Sequence, residues 1–250
     1  MNNIDSYNIL SIYYDKIYNY QVNNKTEDEI NKFLEFLLTN ISDKKNFLDI
    51  GCGTGIYTEK LYKNFIKTLG IDPSESMIKK CKHLNNVKFK CLYLNETKYN
   101  TYNLITAFSQ IINHLTSISM LEEFIRDLSI RLEDDGIFYF DIFNYDFFLN
   151  NEPINEERKL SETEKYCIFP TIISKNDYCI NLDLNNKIIN NTDTYLYTLS
   201  MYIWKLEVIE KLLNKYNINI IEKSKMFDNS FKNLLECSKI SIICKKIIMH

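Results

Sequence analysis

Three of the five glycines in this chain fall within five positions, in Asp49-Ile50-Gly51-Cys52-Gly53-Thr54-Gly55. A chain so poor in glycine concentrates it where the backbone needs positive φ or a close approach that a Cβ would block. The cluster follows a short apolar run, Asn46-Phe47-Leu48-Asp49-Ile50, and precedes a helical segment at 54–64. Strand, glycine turn and helix in that order bring backbone to a ligand at the carboxyl end of the strand. The spacing is not that of a dinucleotide-phosphate turn, because the third glycine position of that pattern is Ile56. Asp49, two residues before the first glycine, suits a ligand with a cationic amine and a sulfonium better than one with a pyrophosphate. A turn serving only chain reversal is the plain alternative.

The rest of the chain supplies the frame. Residues 26–40 open with Thr26-x-x-Glu29, a capping-box pattern, and put Ile30, Phe33, Leu34 and Leu37 on one helical face. Strands are expected at 46–50, 66–71, 87–94, 103–108 and 136–143. Helices fall between them at 54–64, 74–83 (opened by Pro73) and 119–132 (capped by Ser119-x-x-Glu122). Such alternation calls for a parallel sheet covered by helices. After Asn144 the rhythm changes. Residues 145–165 read as loop or partly helical, followed by strands at 166–173, 178–184 and 192–201. Pro170 cannot donate to a ladder, so its strand is an edge or is broken there. A helix at 204–216 and strands at 218–226 and 239–247 close the chain. The organisation is one domain over 1–250. It has an N-terminal helical cover at 1–45, a core of 46–144 and 202–250, and a β-rich insert at 145–201 that serves as a substrate lid.

Composition excludes several functions. The chain is 45% hydrophobic and 25% charged, as a folded globule is, and its net charge of −3 lacks the basic field of a nucleic-acid groove. No apolar run approaches the roughly 20 residues of a membrane span, and no leader is visible, so a cytoplasmic protein without a membrane partner is expected. Seven cysteines with no C-x-x-C pair point to reduced thiols and to no metal site. Asp72, at the end of the second strand, is placed to accept from both hydroxyls of a ribose.

Several segments resemble the class I S-adenosylmethionine-dependent methyltransferases: Phe47-Leu48-Asp49-Ile50-Gly51-Cys52-Gly53-Thr54-Gly55, Gly70-Ile71-Asp72-Pro73-Ser74-Glu75-Ser76-Met77, Asn103-Leu104-Ile105-Thr106-Ala107-Phe108, Leu132-Glu133-Asp134-Asp135-Gly136-Ile137-Phe138 and Ile240-Ser241-Ile242-Ile243-Cys244-Lys245. The resemblance covers nearly the whole chain. It implies a Rossmann-like α/β fold, with a seven-stranded, mostly parallel sheet whose last strand is antiparallel, plus a small antiparallel β lid. It implies S-adenosyl-L-methionine as cofactor and S-adenosyl-L-homocysteine as product. The implied cofactor contacts are Asp49, Gly51, Gly53, Gly55, Asp72, Pro73, Met77, Tyr93, Leu94 and Ser109. Tyr93 stands where such enzymes carry an acid for the adenine amino group, so backbone near Tyr93 and Leu94, or the Asn95 side chain, substitutes for it. Asn103 replaces the acid that often precedes the fourth strand.

Within that superfamily the chain looks most like small-molecule N-methyltransferases of the glycine and deoxyamino-sugar type. Tyr13-Tyr14-Asp15-Lys16-Ile17-Tyr18 is similar to their N-terminal segment folded over the cofactor. Ser109-Gln110-Ile111-Ile112-Asn113-His114-Leu115 is similar to their loop with a substrate-facing histidine. His114 and Tyr14 are accordingly the catalytic candidates, facing each other across a pocket closed by residues 1–20 and 145–201. Asn113 and Asp141 are the candidates for substrate contact. For each of these the plain alternative is packing or a structural hydrogen bond. Competing functions are an NAD-dependent oxidoreductase, disfavoured by Ile56; a nucleic-acid methyltransferase, whose Pro-Pro-aromatic and Pro-Cys motifs are missing; and a silent cofactor-binding regulator. O-methylation of a small metabolite is the alternative chemistry, and a monomer or homodimer is expected.

Overall fold

The computed structural model describes residues 3–17, 27–98, 101–228, 230 and 233–248. Seven strands form the main sheet: β1 (Asn46–Ile50), β2 (Lys67–Asp72), β3 (Val87–Cys91), β4 (Tyr102–Ala107), β5 (Leu132–Phe143), β10 (Ile218–Lys225) and β11 (Lys239–Lys246). Their order is β10-β11-β5-β4-β1-β2-β3. The strands from β3 to β5 pair in parallel, and β11 runs antiparallel to both β5 and β10. The order reverses between β1 and β4, so the carboxyl ends of these two strands flank the crevice in which open α/β sheets bind ligands.

The strands are apolar on both faces because both faces are covered. On one side Leu48, Ile105, Phe138 and Phe140 pack with Leu121, Ile125 and Leu128 of helix α5 (Ile118–Arg131) and with Ile209 and Leu213 of helix α7 (Leu206–Lys215). On the other, Phe47, Leu104, Ile137 and Tyr139 pack with Ile30, Phe33, Leu34 and Leu37 of helix α2 (Glu27–Thr39), the face that the helical spacing predicts. The expected cap at Thr26 lies outside the described residues, as do Tyr18, Tyr20 and His250.

Several boundaries differ from those expected from the sequence. Helix α5 starts after Ser117, whose hydroxyl accepts from the Met120 N–H at 3.2 Å, two residues before the expected cap at Ser119. The helix after Pro73 shrinks to α4 (Glu75–Ile78), capped by Ser74. The third strand ends at Cys91, because the Leu92 N–H turns to the Asp72 carbonyl at 3.2 Å. The helix after the glycine turn is also short, α3 (Ile56–Leu61), and ends in a 3-10 turn, Tyr62–Asn64.

A second, antiparallel sheet follows helix α6 (Tyr145–Asn150), in the order β6 (Glu156–Lys159), β7 (Lys165–Lys175), β8 (Cys179–Ile189), β9 (Thr194–Trp204). Strand β6 falls where the sequence reads as loop or partly helical, since Glu156-Glu157-Arg158-Lys159 shows no apolar alternation. It pairs with β7 only as far as Ile168, so Pro170 lies beyond its end, where the missing N–H costs nothing. Among the described residues, side-chain hydrogen bonds tie β9 to parts of the molecule outside its sheet. Ser6 Oγ of helix α1 (Asn3–Leu10) donates to the Thr198 carbonyl at 2.9 Å, Asn113 Nδ2 to the Tyr202 carbonyl at 2.8 Å, and the Trp204 indole to the Leu115 carbonyl at 2.9 Å.

Candidate active site

The glycine turn leaves β1 with Gly51, Gly53 and Gly55 all at positive φ: +65°, +56° and +89°. Two of them also leave little room for a side chain. A Cβ on Gly51 would collide with the Ile111 side chain, and one on Gly55 would lie 3.0 Å from the Phe89 ring. A Cβ on Gly53 would touch the Tyr14 ring at 3.5 Å, so Tyr14 lies directly against the middle of the turn. Next to it, Thr54 Oγ1 donates to Asp15 at 2.6 Å, tying the N-terminal segment to the same turn.

Asp72 ends β2 beside this turn. Its Oδ2 accepts the Gly53 N–H at 3.0 Å and its Oδ1 the Ser74 N–H at 2.8 Å. Burial pushes its carboxyl above the usual range, and the two N–H donors oppose that shift. Each oxygen keeps acceptor capacity for a further donor. Pro73 follows, half-buried, and the Ser74 hydroxyl reaches Asn8 of α1 at 2.9 Å.

Other expected ligand contacts lie deeper than the sequence suggests. Asp49 is buried, with Thr58 and Thr106 hydroxyls donating to its two oxygens at 2.6 and 2.7 Å. Desolvation raises its pKa to about 6 against those bonds. It braces the turn against α3 and β4. Met77 is likewise enclosed, in an apolar cluster with Leu10, Tyr13 and Ile17. Leu94 is buried in the core, whereas Tyr93 is exposed with its N–H bonded to Glu96 at 2.7 Å.

The loop after β4 carries a second constellation. Ser109 and Gln110 both take left-handed conformations, φ +63° and +60°, which non-glycine residues adopt at a cost. Asp141 on β5 holds them there. Its oxygens accept the Ser109 and Gln110 N–H groups, each at 2.9 Å, and the Gln110 side-chain amide as well. Asp141 is fully buried, and desolvation raises its pKa to about 6, opposed by these bonds and by Lys239. The oxygens of Asp141 are thus engaged in building the loop. Asn113 is engaged in the same way. It is buried, donates to β9 at Tyr202 and accepts the Phe143 N–H at 3.0 Å, so it bridges the two sheets.

His114 ends the 3-10 turn Ile111–His114. Its Nε2 lies 2.9 Å from the Tyr7 hydroxyl, with the rings edge to face at 5.5 Å between centroids. Burial lowers its pKa to about 4, and burial also pushes the Tyr7 phenol up, so both are neutral near pH 7. The residue paired with His114 is thus Tyr7, while Tyr14 covers Gly53. Tyr7 is one of 18 tyrosines, and no local pattern marks it out. The inner face of the second sheet adds polar groups that the sequence reading omits. Tyr166 donates to Asn186 at 2.7 Å, and the buried Tyr197 hydroxyl has no hydrogen-bond partner among the described residues. No cluster of metal-ligating side chains exists among the described residues.

Comparison with known proteins now decides the family. A family model described as a methyltransferase domain matches residues 18–222. The chain belongs to this family. It is an S-adenosylmethionine-dependent methyltransferase. Solved structures share its architecture. An S-adenosylmethionine-dependent methyltransferase from Clostridium acetobutylicum ATCC 824 is 19% identical, with a TM-score of 0.74 over 94% of this chain and 98% of that one. The sugar N-methyltransferase KedS8 from Streptoalloteichus gives 13% identity and 0.70 over 94% and 93%. CalS10, an amino pentose methyltransferase from Micromonospora echinaspora solved with S-adenosylmethionine bound, gives 12% and 0.69 over 92% and 96%. No curated protein sequence matches. In the methyltransferase the sheet is seven-stranded and mostly parallel, with β11 antiparallel. No helix among the described residues is long and apolar enough to cross a membrane.

Proposed function

We propose that the methyltransferase methylates an amine nitrogen of a small molecule, held between the loop after β4, the N-terminal segment and the inner face of the second sheet. The observation that carries this reading is the neutral, half-buried His114–Tyr7 pair at the end of that loop. A pocket that offers hydrogen bonds and no free charge favours an acceptor in its neutral form. An unprotonated amine is already a nucleophile, so it needs no base. The sugar and amino-pentose N-methyltransferases among the structural neighbours agree with such an acceptor.

The cofactor cradle fits the same reading. Gly51, Gly53 and Gly55 keep backbone free of side chains, and Asp72 retains lone pairs for ribose hydroxyls. S-adenosylmethionine supplies a methyl group on a sulfonium, which an in-line nucleophile displaces. The protein then has to align the acceptor and exclude water. Tyr14 covers the turn, and Ser109 fixes the loop through Asp141. Asn113 ties that loop to β9, and His114 with Tyr7 orients the acceptor. The second sheet and the N-terminal segment act as the lid.

The test is S-adenosylhomocysteine formation with a panel of small amines and their hydroxyl counterparts. Formation that requires an amine supports the reading. Formation with the hydroxyl compounds alone contradicts it, and none with any acceptor favours a silent binder.

A further inference from the structure

Two thiols meet under the glycine turn. Cys52 stands between Gly51 and Gly53, and Cys81 lies three residues beyond α4. Both S–H groups address one acceptor, the Gly53 carbonyl, at 3.8 Å from Cys52 and 3.4 Å from Cys81. The sulfurs also sit against neighbouring glycines. A Cβ on Gly70 would stand 3.0 Å from Cys52 Sγ, and one on Gly55 would stand 3.7 Å from Cys81 Sγ. Cys52 is buried and Cys81 half-exposed, so an oxidant meets Cys81 first. The hydrogen bond from Cys81, together with burial, holds the Cys52 thiol well above its ordinary value, which keeps Cys52 protonated until a partner sulfur is activated.

We propose that Cys52 and Cys81 are a peroxide-sensitive modification site whose disulfide disables the cofactor turn. The chemistry balances with hydrogen peroxide as oxidant. The Cys81 thiolate attacks the O–O bond, giving a sulfenic acid and hydroxide, which takes up a proton to form water. The Cys52 sulfur then displaces hydroxide from the sulfenyl sulfur, and its own proton leaves with that hydroxide as a second water. Two thiols and one peroxide become one disulfide and two waters. Closure withdraws both S–H donors from the Gly53 carbonyl. Gly53 also donates the N–H of its preceding peptide unit to Asp72, so displacing this residue disturbs the glycine turn and the ribose acid together. Redox-sensing disulfides of this kind form transiently and are reversed by thiols.

The consequence for binding rests on reading this turn as the cofactor's, and the experiment separates the two. Reduced protein is treated with hydrogen peroxide, alkylated and digested without reductant for peptide mass spectrometry. S-adenosylhomocysteine affinity is measured by calorimetry before oxidation, after it and after dithiothreitol. A Cys52–Cys81 linked peptide is expected, with affinity falling at least tenfold and returning on reduction. Cys81→Ser is expected to bind like the wild type when reduced and to keep its affinity after peroxide. A missing linked peptide, or a linked one with unchanged affinity, overturns the proposal. Reduced wild-type protein that fails to bind S-adenosylhomocysteine refutes the cofactor reading, while the linked peptide still decides the thiol pair.

Discussion

Replacing Asp141 with Asn changes one atom and separates two effects that oppose each other. The buried carboxylate accepts two backbone N–H groups and a side-chain amide. Asn keeps one acceptor and turns a donor toward a donor, losing at least one charge-assisted hydrogen bond, a cost of about 1.5–3 kcal/mol. The charge is itself expensive. A pKa raised from 3.8 to about 6 means that ionisation at pH 7 costs the folded state roughly 3 kcal/mol relative to an ordinary aspartate. Asn removes that cost. The two nearly cancel, so Tm at pH 7 should move by no more than about 4 °C, the shift produced by roughly 1 kcal/mol in a domain of this size. The loop does not escape so lightly. Ser109 and Gln110 lose the acceptor that holds them at positive φ, and His114 lies four residues beyond Gln110. Amide resonances of 109–114 should shift, and kcat should fall at least tenfold in the S-adenosylhomocysteine assay. A Tm loss beyond about 10 °C would show that the carboxylate serves stability, and unchanged turnover would refute its role in positioning the loop.

Asp72→Asn should weaken S-adenosylmethionine binding by about 1–3 kcal/mol in calorimetry, the range for lost charge-assisted hydrogen bonds. Gly53→Val places a branched side chain at φ +56° against Tyr14, so it should abolish cofactor binding while circular dichroism remains that of a folded protein. His114, with its pKa lowered to about 4, should give an NMR imidazole signal that titrates near pH 4. Its unfolded value is near 6.5, so it contributes stability that is complete above pH 6.5 and lost as pH falls toward 4. Asp49 and Asp141, both raised to about 6, act with the opposite sign, destabilising the fold as pH rises from about 4 to 6. In His114→Ala the stability loss between pH 6.5 and 4 should therefore diminish, and a denaturation series that shows no such change contradicts the neutral state.

The glycine turn and the alternation of strands and helices are legible because they are local: a backbone need at Gly51, Gly53 and Gly55, and periodicities of two and 3.6. Features set by distant contacts were harder to read. Strand β6 is held by pairing with β7, while its own residues are charged. Ser117 and Ser119 are equally good caps by type, and the fold selects the first. Tyr7 meets His114 across 107 positions of sequence, beyond any local pattern. Asp141 did carry an unused signal. It lies between Phe140 and Ile142 in a strand apolar on both sides, and an acid buried there must be matched by donors of its own fold. Asn113 carried none, because its partners at Tyr202 and Phe143 come from two different sheets.

The most direct measurement of methyl transfer to an amine uses S-adenosylmethionine labelled with carbon-13 in its methyl group. The methyltransferase is incubated with the best acceptor of the amine panel, and the product is read by carbon-13 NMR. The account predicts a new N-methyl resonance that couples to the acceptor's amine-bearing carbon and grows faster as pH rises through the acceptor's own pKa. A resonance at an O-methyl position, or a rate that falls as the amine becomes neutral, would contradict it.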